Sequence, residues 1–269
     1  MYPILLQIDS FNFFGTTIGP ITFYFIWIFL SLAFLSSLLV ISKLYKFRKI
    51  KINFLANNSL KIFLFSLLFS RLFFIINNFQ NFFSDFNLKK FFELFYIWDK
   101  GLSIWGGIIG IALGFYILCK KENENFLAWA DILVLCLTSG MVLSNVGTFL
   151  DGRNYGTPTS LPWGIIMQTS QYADPIHPTQ LYAVLYNLAI SITLYYLFNK
   201  KKFQEDGNIA LLGTFLYSTL RFIEEFFRGD ESNIFLFLRE PQYYFLIIAA
   251  ISGYFIYKKH LQKNTENIS

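Results

Sequence analysis

The sequence predicts an all-α, polytopic integral membrane protein, and three observations carry that prediction. The first is composition: of 269 residues, 55% are hydrophobic, 20% aromatic and only 14% charged, where a soluble domain averages about 25% charged residues. The second is a series of seven apolar stretches, at roughly 18–42, 60–78, 103–119, 126–146, 179–198, 208–223 and 241–257. Each approaches the ~20 residues that a helix needs to cross a bilayer. The third is where the cations fall. With the N-terminus outside, the inner loops hold fourteen of the 22 basic residues, among them Lys43, Arg48, Lys120, Lys200 and Lys259. Asp151, Asp174, Glu224, Glu225, Asp230 and Glu240 all fall outside. That bias predicts an outside N-terminus and a cytoplasmic C-terminus.

The formal charge of +5 does not point to nucleic acid, because the basic residues lie between apolar segments, where membrane topology is encoded. Cys119 and Cys136 sit in apolar runs and read as buried small hydrophobes. No cleavable signal peptide is expected, since the first apolar run lacks a basic leader and is long enough to span. No repeat or linker divides the chain, so residues 1–269 read as one membrane-embedded domain. Its unusual polar material lies on the outer face, in segments 78–102, 144–178 and 224–240.

Ionisable groups inside a span cost about 2.5–3.5 kcal/mol on insertion scales and usually face a cavity or a partner. Arg71 in the second span, Asp131 early in the fourth and Arg221 late in the sixth are such groups. In "YSTLRFIEEFFR", Tyr217, Arg221, Glu225 and Arg228 recur at spacings of four, four and three, which places them on one helical face. Guanidinium forks suit phosphate, so the face reads as an anion site for a lipid headgroup. It reads equally as a self-neutralising ladder, Arg221 with Glu225 and Arg228 snorkelling.

Two further stretches carry polar signals. Gly106 and Gly110 begin the third span, at a spacing that lets helices approach closely. Within "SNVGTFLDGRNYGTPT" (144–159), Gly147, Gly152 and Gly156 can adopt positive φ and turn backbone N–H groups toward an anion. "HPTQLY" (177–182) opens the fifth span, with Pro178 in its first turn. His177 is placed outside, as a general base or as a capping, hydrogen-bonding residue. His260 belongs to the inner, lysine-rich tail and is expected to be solvated.

In order, "IGPITF", Arg71, "WDKGLSIWGGIIG", Asp131, "NVGTFLDGRNYGTPT", "HPTQLY" and "YSTLRFIEEFFR" make the chain resemble the prolipoprotein diacylglyceryl transferase family over about residues 18–257. The resemblance implies a bacterial inner-membrane enzyme. Such an enzyme moves the diacylglyceryl group of phosphatidylglycerol, or a related anionic phospholipid, to the lipobox cysteine thiol of a preprolipoprotein. It implies functional weight for Arg221, Tyr217, Glu225, Gly156 and Asp131, with no cofactor and no metal. Glu225, Asp151 and His177, in that order, are the bases it leaves. Asn145, Gly147, Thr148, Gly152, Arg153, Gly156, Arg71, Asp131 and Arg228 are then expected around the substrate.

The chain departs from the family pattern where that pattern is richest in chemistry. Trp105 replaces a histidine, Asn145 an arginine, Thr148 and Asp151 two asparagines, Arg153 a glutamate, and Ala183 another glutamate. Arg153 stands eight residues beyond Asn145 and could restore a cation there, although misplacement by ~1 Å can cost 10²-fold in rate. Two functional readings follow. One is a working, divergent transferase. The other is a paralogue that binds anionic phospholipid but lacks the standard reaction or serves another acceptor. An unrelated transporter fits poorly, since the ionisable residues gather at one face.

Overall fold

The computed structural model describes residues 4–13, 16–18, 20–84, 87, 92–95, 101–200 and 205–266. It opens with two nested antiparallel strand pairs, β1 (Ile4–Ile8) with β4 (Ile21–Tyr24) and β2 (Phe11–Phe13) with β3 (Thr16–Ile18). Long helices follow: α1 (Phe25–Leu44), α2 (Asn53–Asn77), the short α3 (Phe79–Phe83), α4 (Ile104–Lys121), α5 (Phe126–Asp151), α6 (Thr179–Phe198) and α7 (Asn208–Glu224). A 3₁₀ turn at Glu225–Phe227, a hairpin of β5 (Ile234–Phe235) and β6 (Leu238–Arg239), and α8 (Glu240–Glu266) complete the described chain.

Each of the seven apolar stretches corresponds to one of these helices. Five of them, α1, α2, α4, α5 and α6, are long and apolar enough to cross a membrane. Their outward faces carry large exposed apolar side chains such as Phe34, Leu39, Leu60 and Leu185, a surface suited to hydrocarbon rather than water. Two expected bounds shift. The first span was expected from residue 18, but residues 21–24 pair with β1 and the helix starts at Phe25. The fourth was expected to end near 146, with a polar loop beyond; α5 instead runs on to Asp151. Residues 98–100 and Asp85, which belonged to the expected outer segments, lie outside the described residues.

The helices form two compact units, residues 45–129 and residues 1–44 with 130–269. In the first, α4 presents Gly106, Gly110 and Gly114 to α2. A Cβ on Gly106 or Gly110 would collide with the backbone carbonyl of Phe69 or Phe65, so these glycines set the helix separation, as expected from their spacing. Ser70 Oγ donates to the Ser103 carbonyl at 2.7 Å, and Phe54, Phe115 and Trp129 form a ring cluster with centroids 5.5–5.7 Å apart.

In the second unit, Gly147 lies against α1, where a Cβ would press on Phe29 Cβ. Gly213 of α7 sits between Val134 and Leu194. Cys119 and Cys136 are free and buried, each within its own unit, as expected.

Asp131 is fully buried and accepts from the backbone N–H groups of Gly207 (3.0 Å) and Ala210 (2.7 Å). Gly207 has φ +89 and starts α7 without a side-chain cap of its own. Asp131 therefore supplies the missing N-terminal partner from a neighbouring helix. Twenty residues of α5 separate it from Asp151, about 30 Å at 1.5 Å per residue, so it does not join the substrate group expected from the sequence.

Candidate functional site

The site grows from the end of α7. The helix stops at Glu224, residues 225–227 tighten into a 3₁₀ turn, and Arg228 is extended. The four-residue face expected from periodicity is therefore interrupted, and its members find different partners. Arg221 Nη1 meets Glu225 Oε2 at 2.7 Å and Glu224 Oε1 at 3.1 Å. Arg228 clasps Asp230 through Nε (2.7 Å) and Nη2, donates to Asn154 Oδ1 at 3.1 Å and keeps Nη1 3.9 Å from the Glu224 oxygen that Arg221 also meets. Tyr217 packs between the rings of Tyr186 and Phe245, and the Arg221 guanidinium lies 5.5 Å from the Phe245 ring centroid.

Three members of this cluster were not singled out from the sequence. Glu224 accepts from the Tyr186 hydroxyl at 2.7 Å while pairing with Arg221. Its i,i+3 spacing from Arg221 was a usable signal, overshadowed by the i,i+4 partner Glu225. Asp230 is the carboxylate that Arg228 and Arg239 share. Burial opposes its charge, but the Arg228 hydrogen bond and the two guanidinium charges outweigh burial and hold it below the usual carboxylate range. Arg239 comes from β6: the hairpin pairs Ile234 with Arg239 and folds it back beside Glu225. Arg239 Nε lies 2.9 Å from Glu225 Oε1, and its other nitrogens reach the Arg228 and Asp230 carbonyls.

Three guanidiniums thus face three carboxylates, and the formal charges cancel. The Arg221–Glu225 rung of the ladder alternative is present, but Arg228 does not snorkel, its side chain being 9% exposed and held by Asp230 and Asn154; the rung does not consume Arg221. Both of its carboxylate partners share one nitrogen, and Nε and Nη2 have no acceptor among the described residues. A cleft of about 370 Å³ opens beside the cluster, lined by Glu225, Arg228, Asp230 and Arg239 with Tyr172 and Phe237.

The stretch 144–159 is half helix. Asn145 lies inside α5 with its amide turned back to the Met141 carbonyl at 2.8 Å, and Thr148 Oγ1 donates to the Asn145 carbonyl. Of the three glycines expected to be able to adopt positive φ, only Gly152 has it, at +73. Gly147 is helical, and Gly156 is needed for a different reason. Thr157 N donates to the Phe227 carbonyl, Gly229 N to Tyr155 and His177 N to Thr157, each at 2.9 Å. These bonds knit segment 155–159 between 227–229 and 175–177. A Cβ on Gly156 would land on the His177 carbonyl. Asp151, 4% exposed, pairs with Arg153 Nε, whose side chain is 65% exposed. Gln180 is buried and donates to the Arg153 carbonyl, and Thr179 Oγ1 donates to that of Asn154. The "HPTQLY" stretch is thus what pins the turn after α5.

His177 lies at the end of a short chain of polar groups. The Trp163 indole N–H, which can only donate, lies 2.8 Å from the Tyr182 hydroxyl, and that hydroxyl lies 3.1 Å from His177 Nδ1. Burial pushes the His177 pKa below its ordinary value, which favours the neutral ring. This contact suits the second of the two roles open from sequence, a hydrogen-bonding residue.

Arg71, expected from the sequence beside the substrate, is engaged within its own unit. It is buried, and it donates through Nε to the Leu94 carbonyl (2.9 Å), through Nη1 to Gly101 (2.9 Å) and through Nη2 to Glu93, with Phe74 and Phe82 rings beside it. It fastens backbone within residues 45–129.

The family model for prolipoprotein diacylglyceryl transferase matches residues 14–258, nearly the whole chain. The chain belongs to that family. A phosphatidylglycerol–prolipoprotein diacylglyceryl transferase of Finegoldia magna is 37% identical over 68% of this chain and 72% of its own length. One from Prochlorococcus marinus (strain MIT 9215) is 31% identical over 79% and 78%, and one from Clostridium tetani 32% over 59% and 64%. Among the described residues no cluster of histidine, cysteine or carboxylate side chains is disposed to hold a metal ion.

Proposed function

We propose that this chain is a phosphatidylglycerol-dependent diacylglyceryl transferase acting on the lipobox cysteine of preprolipoproteins. It would work as one seven-span domain of the bacterial inner membrane, with its N-terminus outside. In the reaction a cysteine thiolate attacks the glyceryl carbon that bears the phosphate ester. A C–S bond forms, the C–O bond breaks with its electron pair going to oxygen, and glycerol phosphate leaves. The thiol proton goes to a protein base, and the departing phosphate needs preorganised donors.

The observation that carries the reading is the disposition of Arg221, with both carboxylates on Nη1 and two donor groups, Nε and Nη2, left for an anion. Glu224 and Glu225 hold the fork, and Tyr217 and Phe245 wall it. As base we favour Asp151. Both Glu225 oxygens are on guanidiniums and His177 Nδ1 is engaged by the Tyr182 hydroxyl, whereas one Asp151 oxygen has no partner among the described residues. Arg153 at its side would steady the carboxylate and offer a second cation in place of Asn145.

The test is transfer of labelled diacylglycerol from phosphatidylglycerol to a lipobox peptide by the purified protein in liposomes. Arg221→Ala is expected to lower the rate about 10²-fold or more, the range for loss of one oxyanion donor. Absence of transfer by the wild-type protein rejects the reading. The inward-turned Asn145 amide and Trp105 in place of the family histidine favour a second reading, a paralogue that retains anionic phospholipid without turnover. Phosphatidylglycerol co-purifying with a protein that leaves lipobox peptides unlabelled is its signature.

A further inference from the structure

A second cleft within residues 1–44 and 130–269 lies away from the arginine cluster, among three membrane-capable helices, two of which, α1 and α6, carry Lys43 and Lys200 at or just beyond their C-terminal ends. It is an open cleft of about 540 Å³ between α1, α5 and α6. Val40, Leu135 and Ile192 give it apolar walls, and Tyr195 and Tyr196 continue them toward the end of α6. There it finishes on Asn199 and Lys200, the Lys200 ammonium 4.5 Å from the Tyr196 ring centroid. None of the nine lining residues is acidic.

The cleft follows two ridges that begin on α6 and run just past its end at Phe198, Ser191–Tyr195–Asn199 and Ile192–Tyr196–Lys200, each stepping by four. The nine steps from 191 to 200, at 1.5 Å apiece, make it about 13 Å long. Its polarity is graded along that length, from hydrocarbon walls through two phenol rings to an amide and an ammonium. Two serines interrupt the apolar part: the Ser139 hydroxyl is turned to the Leu135 and Cys136 carbonyls of its own helix, and Ser191 Oγ is buried with no hydrogen-bond partner among the described residues. A water-soluble ligand would leave the walls unmatched, and a purely apolar one would leave Lys200 unmatched. The bilayer contains a molecule with this gradient.

We propose that this cleft is a binding site for an anionic phospholipid of the lysine-side leaflet. One acyl chain lies between Leu135 and Ile192, the ester region sits at the tyrosines, and the phosphate rests on Lys200 and Asn199. Lys43, one turn beyond Val40 on α1, adds positive charge at the same end. The site is separate from the Arg221 cluster, which lies at the opposite end of α7 from the Asp131 cap, and its occupant is a bound lipid rather than a reactant.

The experiment uses the full-length protein in phosphatidylcholine nanodiscs containing a small fraction of phosphatidylglycerol with a photoactivatable acyl chain. After irradiation the adducts are mapped by mass spectrometry. Adducts are expected on the segments around Leu135–Ser139 and Ser191–Tyr196. Ile192→Trp, at a position 62% exposed where a larger ring cannot crowd the core, should fill the cleft and cut them about tenfold. Lys200→Glu should lower them several-fold, while Arg221→Ala leaves them in place, so failure of the transferase reading does not remove this signal. Adducts that persist in Ile192→Trp overturn the proposal. So does equal labelling by a phosphatidylcholine probe, or a dimer whose second copy shields the cleft from both probes.

Discussion

Arg239 reaches Glu225 across a hairpin, its Nε 2.9 Å from Glu225 Oε1, and so fixes the carboxylate whose other oxygen engages Arg221. Glu225 is 1% exposed at its side chain and Arg239 15%. Removing one partner of a buried pair strands the other, at a cost of about 3 kcal/mol or more. Arg239→Ala is therefore expected to lower the unfolding midpoint in detergent and to release Arg221 from its orientation. Arg239→Lys should recover little, because an ammonium cannot reach Glu225 and the two backbone carbonyls together. Thermal unfolding of the three proteins decides it, and an unaltered midpoint for Arg239→Ala would show the pair to be incidental.

If Asp151 is the base, Asp151→Asn removes a titrating group and not merely a contact. Transfer should fall by about 10²-fold, the scale of general base catalysis, and the rise of rate with pH on the acid side should disappear. Glu225→Gln should also slow transfer but keep that limb. Rate profiles from pH 4 to 8 distinguish the two. Loss of the limb in Glu225→Gln instead would move the base to Glu225.

His177 makes stability depend on pH. Its folded pKa lies below the ordinary 6.5, so the unfolded chain takes up the proton first. The stabilisation is complete above about pH 6.5 and is lost as pH falls through the folded value. His177→Gln should flatten that portion of the stability curve. Tyr182→Phe, which removes the hydroxyl between Trp163 and Nδ1, should shift the His177 titration read by imidazole NMR. An unchanged titration would show the contact to be incidental.

Gly156→Ala tests the loop. Its Cβ would meet backbone, the His177 and Phe227 carbonyls, which cannot rotate aside. A cost of about 3 kcal/mol is expected, the upper end for overpacking, together with faster proteolysis between residues 152 and 178. A protein as resistant as wild type would contradict the packing described.

Asp131→Ala separates scaffold from chemistry. The loss of a cap costs about 2 kcal/mol, with the specific activity of the folded fraction preserved. A selective loss of activity would return Asp131 to the substrate group.

Much of the fold was legible because helix periodicity and apolar length are local properties. α6 occupies 179–198, as the apolar run and Pro178 indicate. What escaped was set by partners distant in sequence. α1 begins late because residues 21–24 pair with β1. α5 outruns its apolar stretch because Gly147 packs on Phe29, which makes helix more favourable than loop there. At the site, Arg221, Glu225 and Arg228 stood out by spacing, but Arg239 joins them only through a hairpin whose tip is Leu236 at φ +53. The buried cations Arg71 and Arg221 look alike in sequence. Backbone carbonyls claim one and carboxylates the other, and no periodicity encodes that difference.

The cancellation of charge in the Arg221 cluster has a consequence for how a ligand is captured. A cluster with no net charge casts little field beyond its own edge, so a headgroup is recognised on contact rather than drawn from afar. Occupancy at Arg221 should therefore change little between low and moderate ionic strength. The Lys200 cleft, with its uncompensated cation, should lose its lipid as salt shortens the reach of the charge. One protein would then hold phospholipid at two places, and only one of the two would respond to salt.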